Sequence, residues 1–384
     1  MPIQAIVHRS LEALSFIDTP IPIPGAKEVV IKVVVAGTNP KDWKLPLMYI
    51  PHKEDGYQGS NISRRKRLSY NSGDDMAGII HSVGKDVYDF KPGDRVGAQH
   101  YSLAKNGSFA EYSVAPYWTT FHLPHHVSFE EAATLPVCAM TAAISLYIDM
   151  GLPPPWNPLQ EDQKKIPLVI YGASTASGAF AAKYARLSGI GPLIGIAGRA
   201  SEYAKTLVDH VVDYRQGEDG LINEIGNILE KEGFGRKAPF VLDAISEGGT
   251  IETAVRFLDP DRGVISTLLP VELFAKEKKN FQYPPGVKGV NTQCNRIFTD
   301  LKDFSFLWTR YLSRLLEDGR FQCHPYEVVP GGLKGVLTGL KDLKDGKASA
   351  VKYVYRIDET GEVDAVAAEE GPEAPQAYPL PGEV

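Results

Sequence analysis

The spacing of hydrophobic and polar positions divides the chain into two styles. Over residues 1–140 the apolar runs are short, β-branched and separated by glycine turns. EVVIKVVVAG, from Glu28 to Gly37, is a continuous β-branched run. DDMAGIIHSVG and DRVGAQHY are shorter strand patterns, and KPGD ahead of RVGA is a tight-turn signal. GSFAEYSVAPYWTTFHLP continues in the same manner. The pattern predicts an antiparallel, barrel-like domain rather than a βαβ array. SFEEAATLPVCAMTAAISLYI then reads as a capped helix, with Ser128 at the cap and Glu131 three residues on. Pro136 interrupts it, so a second helix is expected to start there.

After a proline-rich connection, GLPPPWNPLQEDQKK, the style changes. IPLVIYG, PLIGIAG, HVVDYR, PFVLDAIS and GVISTLLP read as five buried strands. Between them GAFAAKYARLSG, SEYAKTLVD, LINEIGNILEKEG and TIETAVRFLDPD read as helices. Strands alternating with helices predict a parallel, doubly wound α/β sheet. FSFLWTRYLSRLLEDGRF is helical, and KASAVKYVYRI is a last strand returning to the first domain. The expected organisation is a first domain, 1–140, with a return segment, 320–357. A second domain spans 141–319, and a disordered acidic tail spans 358–384.

The junction VIYGASTASGAF carries the first chemistry. An apolar strand meets Gly172, Ala173, Ser174, Thr175, Ala176, Ser177 and Gly178, and a helix follows. Small residues let backbone N–H groups approach an anion, and the helix presents its positive end to it. The central glycine of the usual dinucleotide turn is replaced by Ser174, and Ser174, Thr175 and Ser177 can add hydroxyl donors. Close helix–sheet packing would use the same small residues. After the second strand no acid precedes Glu202, and Arg199 stands first. An arginine there favours a 2′-phosphate, hence NADPH over NADH; the bland alternative is a solvated surface charge.

Composition removes other classes. A net charge of −6 over 384 residues argues against general nucleic-acid binding. No apolar run reaches the roughly 20 residues that span a bilayer, and MPIQAIVHRS lacks a signal-peptide core. Cys138, Cys294 and Cys323 lie far apart, neither a disulfide framework nor a zinc-spaced set. A reducing, cytoplasmic setting without nucleic-acid or membrane partners is expected. His100, His122, His125 and His126 fit no ordinary metal spacing and read as surface histidines.

Several motifs recur in one order: VVVAGTNPKDWKLP, SGDDMAGIIHSVGKDVYDFKPGDRVGA, GSFAEYSVAP and SFEEAATLPVCAMTA. From Met1 to Ile357 the chain resembles the medium-chain dehydrogenase/reductase superfamily, on its zinc-free quinone reductase and enoyl reductase side. The insert before IPLVIYGASTAS, the LEDGRF…HP…VVPGG run and the ending GKASAVKYVYRI are similar to fungal stand-alone enoyl reductases that act in trans with polyketide synthases. The resemblance implies a GroES-like barrel joined to a Rossmann domain that binds NADPH. It places Asn39 where zinc enzymes carry a cysteine ligand, with Lys41, Asp42 and Lys44 lining the nicotinamide and substrate pocket. It puts Thr141 near the nicotinamide, and Gly172, Ser174, Thr175, Ala176 and Ser177 at the pyrophosphate. Arg199 and Tyr214 fall near the adenosine phosphate, Leu268 and Leu269 over the nicotinamide, and Ser349 and Ala350 in the segment closing the cofactor cleft. Where zinc relatives have G-H-E, this chain has Gly73, Asp74 and Asp75, and the structural cysteine quartet is absent.

The resemblance thus implies hydride transfer to the β-carbon of an α,β-unsaturated carbonyl or enoyl thioester, free or carrier-bound, without metal. Lys44 and Thr141 are the candidate donors to the enolate oxygen, while Asn39 and Asp42 hold the nicotinamide or the loop. From the residues alone, Asn39 and Asp42 read equally as turn and helix caps, Lys44 as a surface lysine and Tyr214 as a core aromatic. Quinone reduction, or NADPH binding without turnover, would use the same cleft. The basic cluster Arg64, Arg65, Lys66 and Arg67 is either a docking patch for an acidic carrier protein or a solvated loop. A polyketide synthase is the expected partner, and both monomer and homodimer fit.

Overall fold

The computed structural model describes residues 1–8, 11–47, 70–160 and 165–367. The basic cluster at 64–67 and residues 368–384 of the expected tail lie outside them. The chain forms two compact units, one of Met1–Val137 with Asn295–Val384 and one of Cys138–Cys294.

The first unit opens with β1 (Ile3–Val7), β2 (Leu14–Asp18) and β3 (Glu28–Gly37). It continues with β4 (Asp75–Val83), β5 (Arg95–Gln99), β6 (Tyr112–Pro116) and β7 (Thr120–His122). β3 is apolar and buried along most of its length because it is central, with Lys32 exposed in its middle. Along its length it pairs antiparallel with β4, and its first half pairs with β6. Gly78 lets β4 approach, since a Cβ there would strike the Lys32 carbonyl. The helix Phe129–Ala132 starts as expected. Ser128 accepts from the Glu131 N–H, and the Glu131 carboxylate accepts from the Ser128 N–H, a complete capping box. The next helix begins at Pro136 and runs to Ala143.

The second unit holds β8 (Leu168–Tyr171), β9 (Leu193–Ala197), β10 (His210–Asp213), β11 (Phe240–Asp243), β12 (Val264–Thr267) and β13 (Lys288–Asn291). All pairs are parallel, in the order β10-β9-β8-β11-β12-β13. The strand order therefore reverses direction between β8 and β11, the place where doubly wound sheets bind ligands. Val169, Ile194, Ile196, Val241 and Ile265 are fully buried and pack with Leu221, Ile225, Ala254 and Phe257 from the covering helices. β13 is a sixth strand beyond the five expected.

The chain rejoins the first unit at Asn295, earlier than the expected 320. The reason is the helix Lys302–Glu317. Its Ser305 hydroxyl donates to the Trp118 carbonyl at 2.9 Å, and its Arg310 to the Thr120 carbonyl at 2.8 Å. Trp118 Nε1 in turn donates to the Ile297 carbonyl at 2.9 Å. The return supplies β14 (Tyr326–Val328) and β15 (Lys352–Arg356), completing the sheet β14-β15-β3-β4-β5-β7. The expected tail is corrected over its first ten residues. Ile357–Thr360 form a 3₁₀ turn, and β16 (Ala365–Ala367) pairs parallel with β2, which in turn pairs with β1. Among the described residues no helix is long and apolar enough to cross a membrane.

Removing the capping hydroxyl by Ser128→Ala should lower unfolding stability by about 1 kcal/mol in a urea titration. A Ser128→Asp variant should keep most of it.

Candidate active site

In the second unit the turn after β8 is built by backbone. Gly172 has φ +77°, a left-handed conformation suited to glycine. A Cβ on Gly178 would strike the Gly172 carbonyl, so the first turn of the helix Ala176–Leu187 packs main chain against main chain. Thr175 is the helix N-cap. Its hydroxyl donates to the Gly172 carbonyl at 2.8 Å and accepts from the Gly178 N–H at 3.1 Å. That hydroxyl is therefore spent on the turn, and not available as the ligand donor the sequence suggested. The helix still presents its first N–H groups, those of Ala176 and Ser177, at its positive end. Ser174 and Ser177 are half-buried on the same turn. A glycine-tight turn feeding directly into the N–H groups of a helix start fits a diphosphate.

The neighbouring strands open their turns along the same sheet edge. Arg199 is exposed just after β9. Tyr214 follows β10, is 47% exposed, and lies against Gly198 so closely that a Cβ there would meet its ring. It is not a core aromatic. On the other side of the reversal, Asp243 ends β11 fully buried. It accepts from the Ile245 and Ser246 N–H groups and the Thr250 hydroxyl at 2.7–3.0 Å. Ser246 accepts from the Leu268 N–H at 2.8 Å, which fixes the backbone leading to the half-buried Leu268 and Leu269. Thr141 is buried on the helix that starts at Pro136.

In the first unit Asn39 precedes the helix Pro40–Leu47, with proline at the first helical position. Asp42 Oδ2 accepts the Asn39 N–H at 2.8 Å, as a helix-start acid does. Lys41, expected beside the cofactor, directs its three N–H donors to Asp42 at 2.7 Å, Asp74 at 2.9 Å and the Ser72 carbonyl at 2.7 Å. Burial works against its ammonium, but Asp42 and Asp74 outweigh that and hold its pKa above the usual lysine value. Lys44 is half-buried, with Nζ 4.8 Å from the centre of the Trp43 ring.

A second buried network was missed by sequence reasoning. Asn39 Nδ2 donates to Asp75 Oδ2 at 3.0 Å. Lys352 Nζ pairs with the same Asp75 oxygen and donates to Asn39 Oδ1 at 3.2 Å and to the Thr134 carbonyl at 3.3 Å. Asp75 Oδ1 accepts the Val137 N–H at 2.8 Å. The local signal was a buried lysine, Lys352, at the start of the strand KYVYR. Just before it, Ser349 is exposed and Ala350 has φ +55°, a left-handed conformation that costs an alanine about 1–2 kcal/mol.

Among the described residues no group of three or more His, Cys, Asp and Glu side chains is arranged to hold a metal ion. His100 corrects the surface expectation. It is 1% exposed and bonds the Val114 carbonyl through Nδ1 at 2.7 Å, and burial lowers its pKa. His125 and His126 are exposed and His122 half-buried.

Burial pushes Asp243 up from 3.8 to about 6, against its hydrogen bonds to Thr250, Ser246 and Ile245. Between those values the folded protein keeps a proton that the unfolded chain has released. Stability should therefore fall as pH rises through that window and level off above it. Asp243→Asn should remove this part of the slope, gaining up to about 3 kcal/mol on wild type from pH 4 to pH 7 in unfolding titrations, and leave the part due to Asp42, which burial pushes up to about 7.

Comparison with known proteins gives a consistent set. Residues 25–125 match the family described as the alcohol dehydrogenase GroES-like domain. The trans-enoyl reductase fsr4 of Gibberella fujikuroi is 40% identical over 337 residues, covering 86% of this chain and 92% of the relative. The trans-enoyl reductase ACTTS2 of Alternaria alternata is 31% identical, covering 92% and 99%. Among solved structures, the CurK enoyl reductase superposes with a TM-score of 0.74 at 21% identity, covering 92% of this chain and 98% of the other. A quinone oxidoreductase of Pseudomonas syringae pv. Tomato DC3000 superposes at 0.68 with 20% identity, covering 92% and 100%.

Proposed function

The chain belongs to the trans-enoyl reductases, within the zinc-free side of the medium-chain dehydrogenase/reductase superfamily, and from that premise we propose that it reduces the C=C bond of an enoyl thioester with NADPH and without zinc. The observation that carries the reading is the glycine-bounded N–H cradle after β8, at the point where the strand order reverses. When bound, the nicotinamide supplies a hydride to the β-carbon.

The chain's own residues do the rest. The Ala176 and Ser177 N–H groups hold the diphosphate, and Ser174 lines the same turn. Arg199 takes the 2′-phosphate by charge-assisted hydrogen bonds, with Tyr214 beside it. Leu268 and Leu269, fixed through Ser246, form an apolar wall, and the 349–350 segment covers the cofactor. Lys44 and Thr141 donate to the carbonyl oxygen as negative charge grows on it. Asn39 orients the reacting groups, and Asp42 and Lys41 brace its loop. A zinc ion is disfavoured at Asn39, because the Lys352 ammonium already neutralises Asp75 beside it. The substrate is an acyl chain carried by a polyketide synthase, the partner that the resemblance to fungal trans-acting enoyl reductases implies.

Mixing the protein with NADPH and, in turn, a crotonyl thioester, an enone and a quinone should give rapid loss of NADPH absorbance with the thioester. No oxidation with any of the three would refute the reading, and oxidation by the quinone alone would replace it with quinone reduction. Arg199→Ala should weaken NADPH binding by about 10- to 100-fold, the worth of hydrogen bonds to a charged group, and leave NADH binding unchanged in calorimetry.

A further inference from the structure

The orientation of a primary amide is ambiguous by itself, because its oxygen and nitrogen ends have the same shape. At Asn39 the neighbours remove that ambiguity. Lysine can only donate and a carboxylate can only accept. Lys352 Nζ therefore selects the Oδ1 end, at 3.2 Å, and Asp75 Oδ2 selects the Nδ2 end, at 3.0 Å. A flipped amide would set its NH₂ against an ammonium and its oxygen against a carboxylate. Asp75 is itself held by the Val137 N–H, and Lys352 by the Thr134 carbonyl. Lys352 and Asp75 are at most 4% exposed, so water has little room to offer a substitute partner.

We propose that Lys352, together with Asp75, is a positioning residue for the reaction: it locks the Asn39 amide into one orientation and so fixes the direction of its second N–H. This rests on the reading of Asn39 as a residue at the reacting centre. A buried ion pair is a weak source of net stability, since apolar replacement of both partners is often neutral or better. What the pair supplies here is the choice between two amide orientations. It also gives Lys352 a role that leaves its own proton in place.

The test is a double-mutant cycle on the full chain with Asn39→Ala and Lys352→Met. Asp75→Leu/Lys352→Met is added so that no unpaired buried charge remains to unfold the protein, and no new amide enters the spectrum. Lys352→Met should lower kcat by about 10- to 100-fold, the usual loss when an outer-shell partner is removed. The NADPH dissociation constant should stay within about twofold. On top of Asn39→Ala it should cost nothing further, and Lys352→Arg should recover most of the rate. With asparagine-selective ¹⁵N labelling, the Asn39 side-chain amide, assigned by its absence in Asn39→Ala, should give one slowly exchanging pair. In the charge-free double variant that pair should double or exchange rapidly. Multiplicative losses in the cycle, or an unchanged Asn39 amide in the charge-free variant, would overturn the proposal. The amide spectrum decides the positioning role even if wild type reduces no enoyl thioester, an outcome that would count against the proposed activity alone.

Discussion

Asp75 begins β4 with no exposed surface, and a carboxylate in that position must be neutralised. The neutralising ammonium, Lys352, comes from 277 positions further along the chain. It reaches Asp75 only because β15 pairs antiparallel with the end of β3. Removing one partner of such a pair typically costs about 3–5 kcal/mol, because the other is left charged and buried. The Asn39 amide, the Thr134 carbonyl and the Val137 N–H are all tied to this pair. The local chemistry of the first unit therefore depends on the C-terminal segment having come home.

The two units meet their polar requirements by different means. In the first, buried charges are paired within the unit: Lys352 answers Asp75, and Lys41 is shared by Asp42 and Asp74, with burial pushing Asp42 up to about 7. In the second, the main chain does the work. Glycines at 172 and 178 clear space, Thr175 closes the turn, and helix N–H groups remain for an anion. The Thr175 hydroxyl serves the shape of the cradle. The same holds on the far side of the reversal, where Ser246 fixes the backbone at Leu268.

Elements governed by local rules were legible in the sequence. The box at Ser128 and Glu131, the restart at Pro136, the run of β3 and the alternation from β8 to β12 each follow from neighbours a few residues apart. β13 escaped because an edge strand of Lys288–Asn291 is short, partly exposed and carries no apolar run. β16 escaped because its acidic surroundings read as disorder, while its partner β2 lies far upstream. The Asp74 and Asp75 pair was noticed as a missing zinc motif, but their lysine partners follow from tertiary pairing that no local spacing encodes. His100 has the same explanation, since its ring partner, the Val114 carbonyl, lies on another strand, β6.

The central claim, hydride transfer from a nicotinamide to an enoyl carbon, is tested most directly by isotope. Wild-type protein would be given NADPH deuterated at C4 on one face or the other, with a crotonyl thioester, and the product analysed by mass spectrometry and NMR. The account predicts one deuterium at the β-carbon from a single cofactor face, with the α-hydrogen drawn from solvent. Product without deuterium from either cofactor, or deuterium at the α-carbon, would contradict it.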